Sequence, residues 1–285
     1  MPPCAKWCHL AKAIELDPKH FAFCQRGYSH RQLHQYDKAL ADLNQAIELD
    51  PKCATGWYNR GYAFAGLGQW DKASADFSKG TAVNPEAPWP RYARALVHLQ
   101  LGDRGGFRKA CAAMRQHFAA SGNPEDVYWT AWTCIQVPDA VEDWTPLAQW
   151  AEKALAADPK RYDWLTALGA VLYRAGRFEE AAQRLAEAEA AFRNAKAPAW
   201  PIAYTWLFLA MTHELLSHRE QAREWLAKAV REIDEPPAER AKDPNRSRWN
   251  RQLTLRLLRG EAEALIDRAD PKAHREGSTD TEKKP

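Results

Sequence analysis

The stretch from Trp57 to Pro85 constrains the chain most, because its small and bulky residues fall at the spacing of a helical hairpin. Trp57, Arg60, Gly61 and Phe64 share one face of a first helix, and Gly66-Leu67-Gly68-Gln69 releases that helix. A second helix is expected from about Trp70 and Asp71. Its Ala73 and Gly80, with Phe77 between them, recur at three- and four-residue steps and so face the first helix. Small side chains there let two backbones approach closely. The pattern is repeated: Gly27 stands 34 residues before Gly61, and the string AIELDPK occurs at Ala13 to Lys19 and again at Ala46 to Lys52.

With an aromatic, a Gly, an Ala, a Phe and a Pro at fixed intervals, this unit resembles the tetratricopeptide repeat (TPR). Trp57, Gly61, Ala73, Phe77 and Pro85 occupy the signature positions, Phe64 stands for a Tyr, and Arg60 departs from the usual Leu. The resemblance implies an all-α fold, a right-handed TPR superhelix (α-solenoid) of antiparallel helix hairpins.

Along the chain, residues 1–19 read as the second helix of a hairpin, a partial repeat whose first helix would lie upstream. Residues 20–121 hold repeats one to three. The first has Phe23, Gly27, Ala39, Leu43, Ala46 and Pro51 at the signature positions, with His30 in place of the Tyr. The third keeps Ala95, Leu101-Gly102 and Ala110, and Arg104-Gly105-Gly106 reads as extra residues at its turn. Residues 122–237 hold repeats four to six. Asn123-Pro124-Glu125-Asp126 is a helix start, with a capping side chain, Pro in the first turn and acids suited to the helix dipole. Residues 137–143 then form a loop before a helix at Thr145-Pro146. The fifth repeat is in register through Leu165, Leu168, Gly169, Leu172, Gly176, Phe178, Ala181, Leu185 and Ala188. The sixth has Trp206, Leu209, Ala210, Ala222, Leu226 and Ala229, and Glu235-Pro236-Pro237 ends the array. Over 238–269 a capping helix is expected from the apolar side formed by Trp249, Leu253, Leu257, Leu258, Ala262 and Leu265. Polar, aperiodic residues 270–285 read as a disordered tail. The second half is also similar to the TPR tails of bacterial Ser/Thr kinase or WD-repeat proteins, on the strings from Trp132 to Ala140, Ala151 to Leu155 and Trp206 to Met211.

Composition sets the class of partner. No apolar run approaches the roughly 18 residues of a membrane span, and the first residues have no apolar signal core, so a cytoplasmic protein is expected. Lys and Arg number 40 against 37 acids, a net charge of +3 that is too small to imply nucleic acid as a partner. The six Cys, at 4, 8, 24, 53, 111 and 134, include no CxxC pair and read as reduced thiols rather than a disulfide framework.

Candidate chemistry is sparse. His213 and His218 superficially resemble an HExxH zinc motif, but they are five residues apart, about 140° around a regular helix. His30 with His34, and Cys4 with Cys8, have metal-compatible spacing but lack a second pair of ligands. Gly102 to Gly106 lacks the Lys-Ser/Thr of a phosphate loop, and the strings of a kinase are absent. Arg246, Arg248, Arg251, Arg256 and Arg259 alternate with acids and read as a solvated helix face. No enzyme, metal or cofactor is therefore expected.

The remaining feature is the surface formed by the first helices of the hairpins. By resemblance to the family, residues at the second, fifth, sixth, ninth, twelfth and thirteenth positions face a concave groove. From them the candidate peptide-binding residues are Phe21, Gln25, Tyr28, Arg31, Tyr58, Asn59, Tyr62 and Tyr92. Tyrosines offer contact area with a polar tip, and Asn59 can both donate to and accept from a peptide backbone. Cys24 and Tyr28 stand where relatives that grip a C-terminal carboxylate use Lys and Arg, so such a clamp is not expected. The function implied is a protein-interaction scaffold binding a peptide segment or helix of a protein partner. The alternative is the regulatory tail of a kinase-type protein whose catalytic domain is not in this chain.

Overall fold

The computed structural model describes residues 20–195, 200–238 and 248–268. The expectations for residues 1–19 and 270–285, for Cys4, Cys8 and Arg246, and for the first part of the capping segment lie outside them. Among the described residues there are thirteen α-helices and no strand. In order they are α1 (His20–Gln32), α2 (Tyr36–Leu49), α3 (Ala54–Gly66), α4 (Trp70–Val83), α5 (Pro88–Gln100) and α6 (Arg104–Phe118). Then come α7 (Pro124–Cys134), α8 (Thr145–Leu155), α9 (Tyr162–Arg174), α10 (Phe178–Arg193), α11 (Ala203–Leu215), α12 (Arg219–Asp234) and α13 (Trp249–Arg268). No described helix is long and apolar enough to cross a membrane.

Two compact units divide the chain. One comprises residues up to Ala120 together with Asp243–Leu253, the other Ser121–Lys242 with Thr254 onward. The first turn of α13 thus belongs to the first unit and the rest of that helix to the second.

Each hairpin of the first unit closes by the same device. His34, Gly68 and Gly102, at one repeat interval, adopt the left-handed backbone with φ of 57°, 72° and 74°. The next amide then bonds a carbonyl one turn back: Gln35 to His30, Gln69 to Phe64 and Asp103 to His98, at 2.9, 2.9 and 2.8 Å. This is the Schellman closure, which satisfies carbonyls that the helix end leaves open. Gly176 and Ser217 (φ 76° and 64°) repeat it in the second unit.

The close approach of the helices is sterically exacting. A Cβ added to Gly27 would lie 2.7 Å from Leu43 Cγ, one on Gly61 2.7 Å from Phe77 Cε1, and one on Gly169 2.6 Å from Leu185 Cγ. Leu43, Phe77 and Leu185 are fully buried.

The Arg104-Gly105-Gly106 segment is not an insertion. It is the first turn of α6, which begins one repeat after α4, with Asp103 as N-cap accepting from the Gly106 amide at 2.8 Å. An added Cβ at Gly106 would stand 2.2 Å from Asp103 Oδ2 and 2.3 Å from His98 Nδ1, so a larger residue there would displace the Asp103 cap and its His98 contact. In the second unit the expected loop at 137–143 contains a 3₁₀ turn, Pro138–Ala140. Val137, Ala140 and Val141 are buried, so it packs as part of the core.

Candidate protein-binding surface of the first unit

Helices α1 and α3 lie side by side, and each returns to the core through an ion pair. Arg26 donates to both carboxylate oxygens of Asp42 at 2.8 and 2.6 Å, and Arg60 to those of Asp76 at 2.7 and 2.9 Å. Both aspartates are buried, and in both pairs the partners are 16 residues apart. The departure from Leu at position 60 is therefore a hairpin clasp. Arg60 also lies over the Trp57 ring at 4.8 Å.

Above this seam the tyrosines gather. Tyr58 and Tyr62 have ring centroids 4.8 Å apart, and Tyr62 meets Phe77 edge-on at 5.3 Å. The buried Arg31 guanidinium lies 5.1 Å from the Tyr28 ring centroid and 5.0 Å from that of Tyr62, a cation–π arrangement. Its Nε has no hydrogen-bond partner among the described residues. Burial lowers the Arg31 pKa, and the neighbouring Arg248 lowers it further. Burial also pushes the Tyr62 phenol up to about 12 and holds that of Tyr58 well above its usual value, so both rings are neutral at physiological pH.

The first turn of α13 closes over this cluster. Trp249 packs 6.0 Å from Tyr62 and 5.4 Å from Trp70, ring centroid to ring centroid. Arg248 donates to Gln32 Oε1 at 2.5 Å, and Gln32 donates to the Tyr28 hydroxyl at 2.8 Å. A small cleft between these elements is lined by Arg31, His34, Tyr36, Tyr62, Arg248 and Trp249.

The sequence-predicted residues separate into three groups. Phe21 (62% exposed) and Tyr28 (37%) face solvent, and so does Trp89 (42%), whose ring is 6.2 Å from that of Tyr58. Gln25 and Tyr58 are half-buried. Arg31, Asn59, Tyr62 and Tyr92 are buried, and Asn59 Oδ1 is without a hydrogen-bond partner among the described residues. Tyr28, Arg31, Tyr58 and Tyr62 form one cluster. Sequence reasoning missed Arg248 and Trp249 as members. Their signal was a Trp heading the cap helix, absorbed there into the leucine stripe.

The other candidates resolve into packing. His213 Nδ1 and His218 Nδ1 are 3.2 Å apart, so the helical-wheel separation does not hold. The reason is that α11 ends at Leu215 and Ser217 turns the chain back, bringing the N-cap residue of α12 onto His213. The same contact joins His30 to Gln35 and His98 to Asp103, each at 2.8 Å, each to the N-cap of the next helix. No group of three or more His, Cys, Asp or Glu among the described residues is placed to hold a metal ion.

This hairpin architecture is that of a TPR α-solenoid, and the comparisons agree. Residues 27–68 match the family model described as TPR repeat. A tetratricopeptide repeat protein from Parabacteroides merdae superposes with a TM-score of 0.52 at 17% identity, over 86% of this chain and 90% of that one. PilW, a widely conserved type IV pilus biogenesis factor, gives 0.54 at 16% identity, over 77% and 95%. The Cut9–Hcn1 hetero-tetramer of APC/C gives 0.55 at 16% identity, over 91% of this chain and 51% of that one. No curated protein matches. Residues 27–68 thus match a tetratricopeptide repeat, and the chain has the TPR fold.

Proposed function

We propose that the chain is a non-catalytic protein-interaction scaffold, and that a peptide segment or helix of a protein partner docks on the α1–α3 surface around Tyr28, Arg31, Tyr58 and Tyr62. One observation carries the reading. The surface already accepts a helical turn, with Trp249 against Tyr62 and Trp70 and Arg248 hydrogen-bonded to Gln32. What that turn supplies, an aromatic ring and a donor on successive residues, is the chemistry a partner would bring. Buried aromatic anchors and arginines are the side chains that dominate binding energy at protein interfaces. The solvent-facing Phe21, Tyr28 and Trp89 extend the same surface.

The test uses the full chain carrying Trp249→Ala, with a fluorescent peptide of residues 248–258 as the probe. Saturable binding by anisotropy is expected. Adding Tyr58→Ala and Tyr62→Ala should weaken it at least tenfold, about 1.4 kcal/mol, with helical content unchanged by circular dichroism. Binding that ignores the tyrosines, or no binding at all, overturns the assignment.

A further inference from the structure

Two cysteines that the binding surface does not use meet between α1 and α3. Cys24 Sγ and Cys53 Sγ are 3.5 Å apart, although the residues are 29 positions apart in sequence. Their surroundings differ in a useful way. Cys24 is buried on α1, whereas Cys53 is half-exposed at the N-cap of α3. Gly56, on the first turn of α3, keeps the space between the helices open: an added Cβ would stand 3.1 Å from Ile47 Cγ1 and 3.5 Å from Cys24 Sγ. The Gly56 amide donates to the Cys53 carbonyl oxygen at 3.1 Å, which holds Cys53 at the N-cap of α3. His20 and Asp50, 3.5 Å from each other, flank the pair with opposite effects.

We propose that Cys24 and Cys53 form a reversible disulfide on exposure to hydrogen peroxide, with Cys53 as the attacking thiolate and Cys24 as the resolving thiol. The Cys53 thiolate attacks the terminal peroxide oxygen. The O–O bond breaks, a Cys53 sulfenic acid forms, and hydroxide leaves and takes up a proton as water. Cys24 sulfur then attacks the sulfenic sulfur, the S–O bond breaks, and the thiol proton leaves with the departing oxygen as a second water. Two thiols are oxidised by two electrons and one peroxide is reduced. The sulfurs must approach by about 1.5 Å to reach the S–S bond length.

The electrostatics support this division of roles. The contact with the Cys24 sulfur lowers the pKa of the half-exposed Cys53 thiol, against the opposing influence of burial. The contact with Cys53, with burial, pushes Cys24 the other way. A low thiol pKa with solvent access is what makes one cysteine of several react first. The bond would tie the first helix of one repeat to the first helix of the next.

The experiment takes the reduced full chain and one equivalent of hydrogen peroxide, followed by alkylation and tryptic mapping. The expected product is a cross-link between the peptides of residues 20–26 and 53–60, two hydrogens lighter than the separate thiols and reversed by dithiothreitol. Cys111 and Cys134, both buried, should remain alkylatable. Cys24→Ser should accumulate a sulfenic acid at Cys53, trapped by dimedone. Cys53→Ser should leave Cys24 a thiol, with oxidation slowed at least about tenfold. Wild-type protein in which residues 24 and 53 are alkylated separately after oxidation overturns the proposal without reliance on any variant. So does Cys24 oxidation at the parental rate in Cys53→Ser.

Discussion

Two glycines on one hairpin test the helix seam against each other. Gly61 lies in α3 and Gly80 in α4, both inside helices, so replacing either with Ala gains about 1 kcal/mol of helix propensity. They differ in what the new methyl meets. At Gly80 it would sit 3.6 Å from the Ala54 carbonyl oxygen and 3.7 Å from Trp57 Cβ, which is ordinary contact. At Gly61 it would sit 2.7, 2.8 and 3.2 Å from three atoms of the Phe77 ring. Carbon atoms prefer about 3.5–4.0 Å, so the ring has to move by roughly 1 Å. Phe77 is fully buried and held by Tyr62 and Tyr58, which leaves it nowhere to go. Overpacking of this kind costs about 1–3 kcal/mol. Gly80→Ala should therefore be stabilised by about 1 kcal/mol, while Gly61→Ala falls between neutral and about 2 kcal/mol destabilised. The two should melt about 2–12 °C apart in far-UV circular dichroism, at roughly 2–4 °C per kcal/mol. Equal shifts in the two variants would refute the placement of Gly61 on the seam, and Gly61→Leu should lose more than Gly61→Ala.

Asp76→Asn removes the buried carboxylate and leaves the half-buried Arg60 guanidinium with Asn44 Oδ1 and a neutral amide, so urea unfolding should show a loss of about 1.5–3 kcal/mol. The exposed Asp71→Asn, in the first turn of α4, serves as the control and should lose less than about 1 kcal/mol. Ser217→Gly relieves a non-glycine residue at φ 64° and should stabilise by about 0.5–1 kcal/mol on the same assay. His213 has its pKa lowered by burial and by His218. The unfolded chain therefore binds the proton first, and stability should fall as pH drops below about 6.5. Urea midpoints measured between neutral pH and about pH 5 should show this fall reduced in His213→Phe, and an unchanged slope would refute the assignment.

Much of the fold was legible because sterics wrote it. Gly27, Gly61 and Gly169 can hold no side chain without striking Leu43, Phe77 and Leu185, and that demand stands in the sequence as spaced small and large residues. Pairwise chemistry was less legible. Arg26–Asp42 and Arg60–Asp76 share a 16-residue spacing, yet Arg60 registered only as a departure from Leu. The 140° separation of His213 and His218 applies only within one helix, and the turn at Ser217 brings the two rings together, a contact that helical periodicity does not encode. The candidate surface was half legible. Tyr28, Arg31, Tyr58 and Tyr62 do assemble, but the Trp249 that covers them lies far along the chain, and periodicity carries no information about such a contact.

The left-handed residues His34, Gly68 and Gly102 mark out a unit that can be counted in whole numbers. The helices α3 and α5 begin at Ala54 and Pro88, and α4 and α6 at Trp70 and Arg104, so each element reappears after one full interval. Cutting out residues 54–87 would join α2 directly to α5 while every surviving turn keeps its own closing amide. Array length is then a quantity a gene can change by a single duplication or deletion, with no new loop to be invented. Such a protein can alter how much surface it presents without first learning a new way to fold.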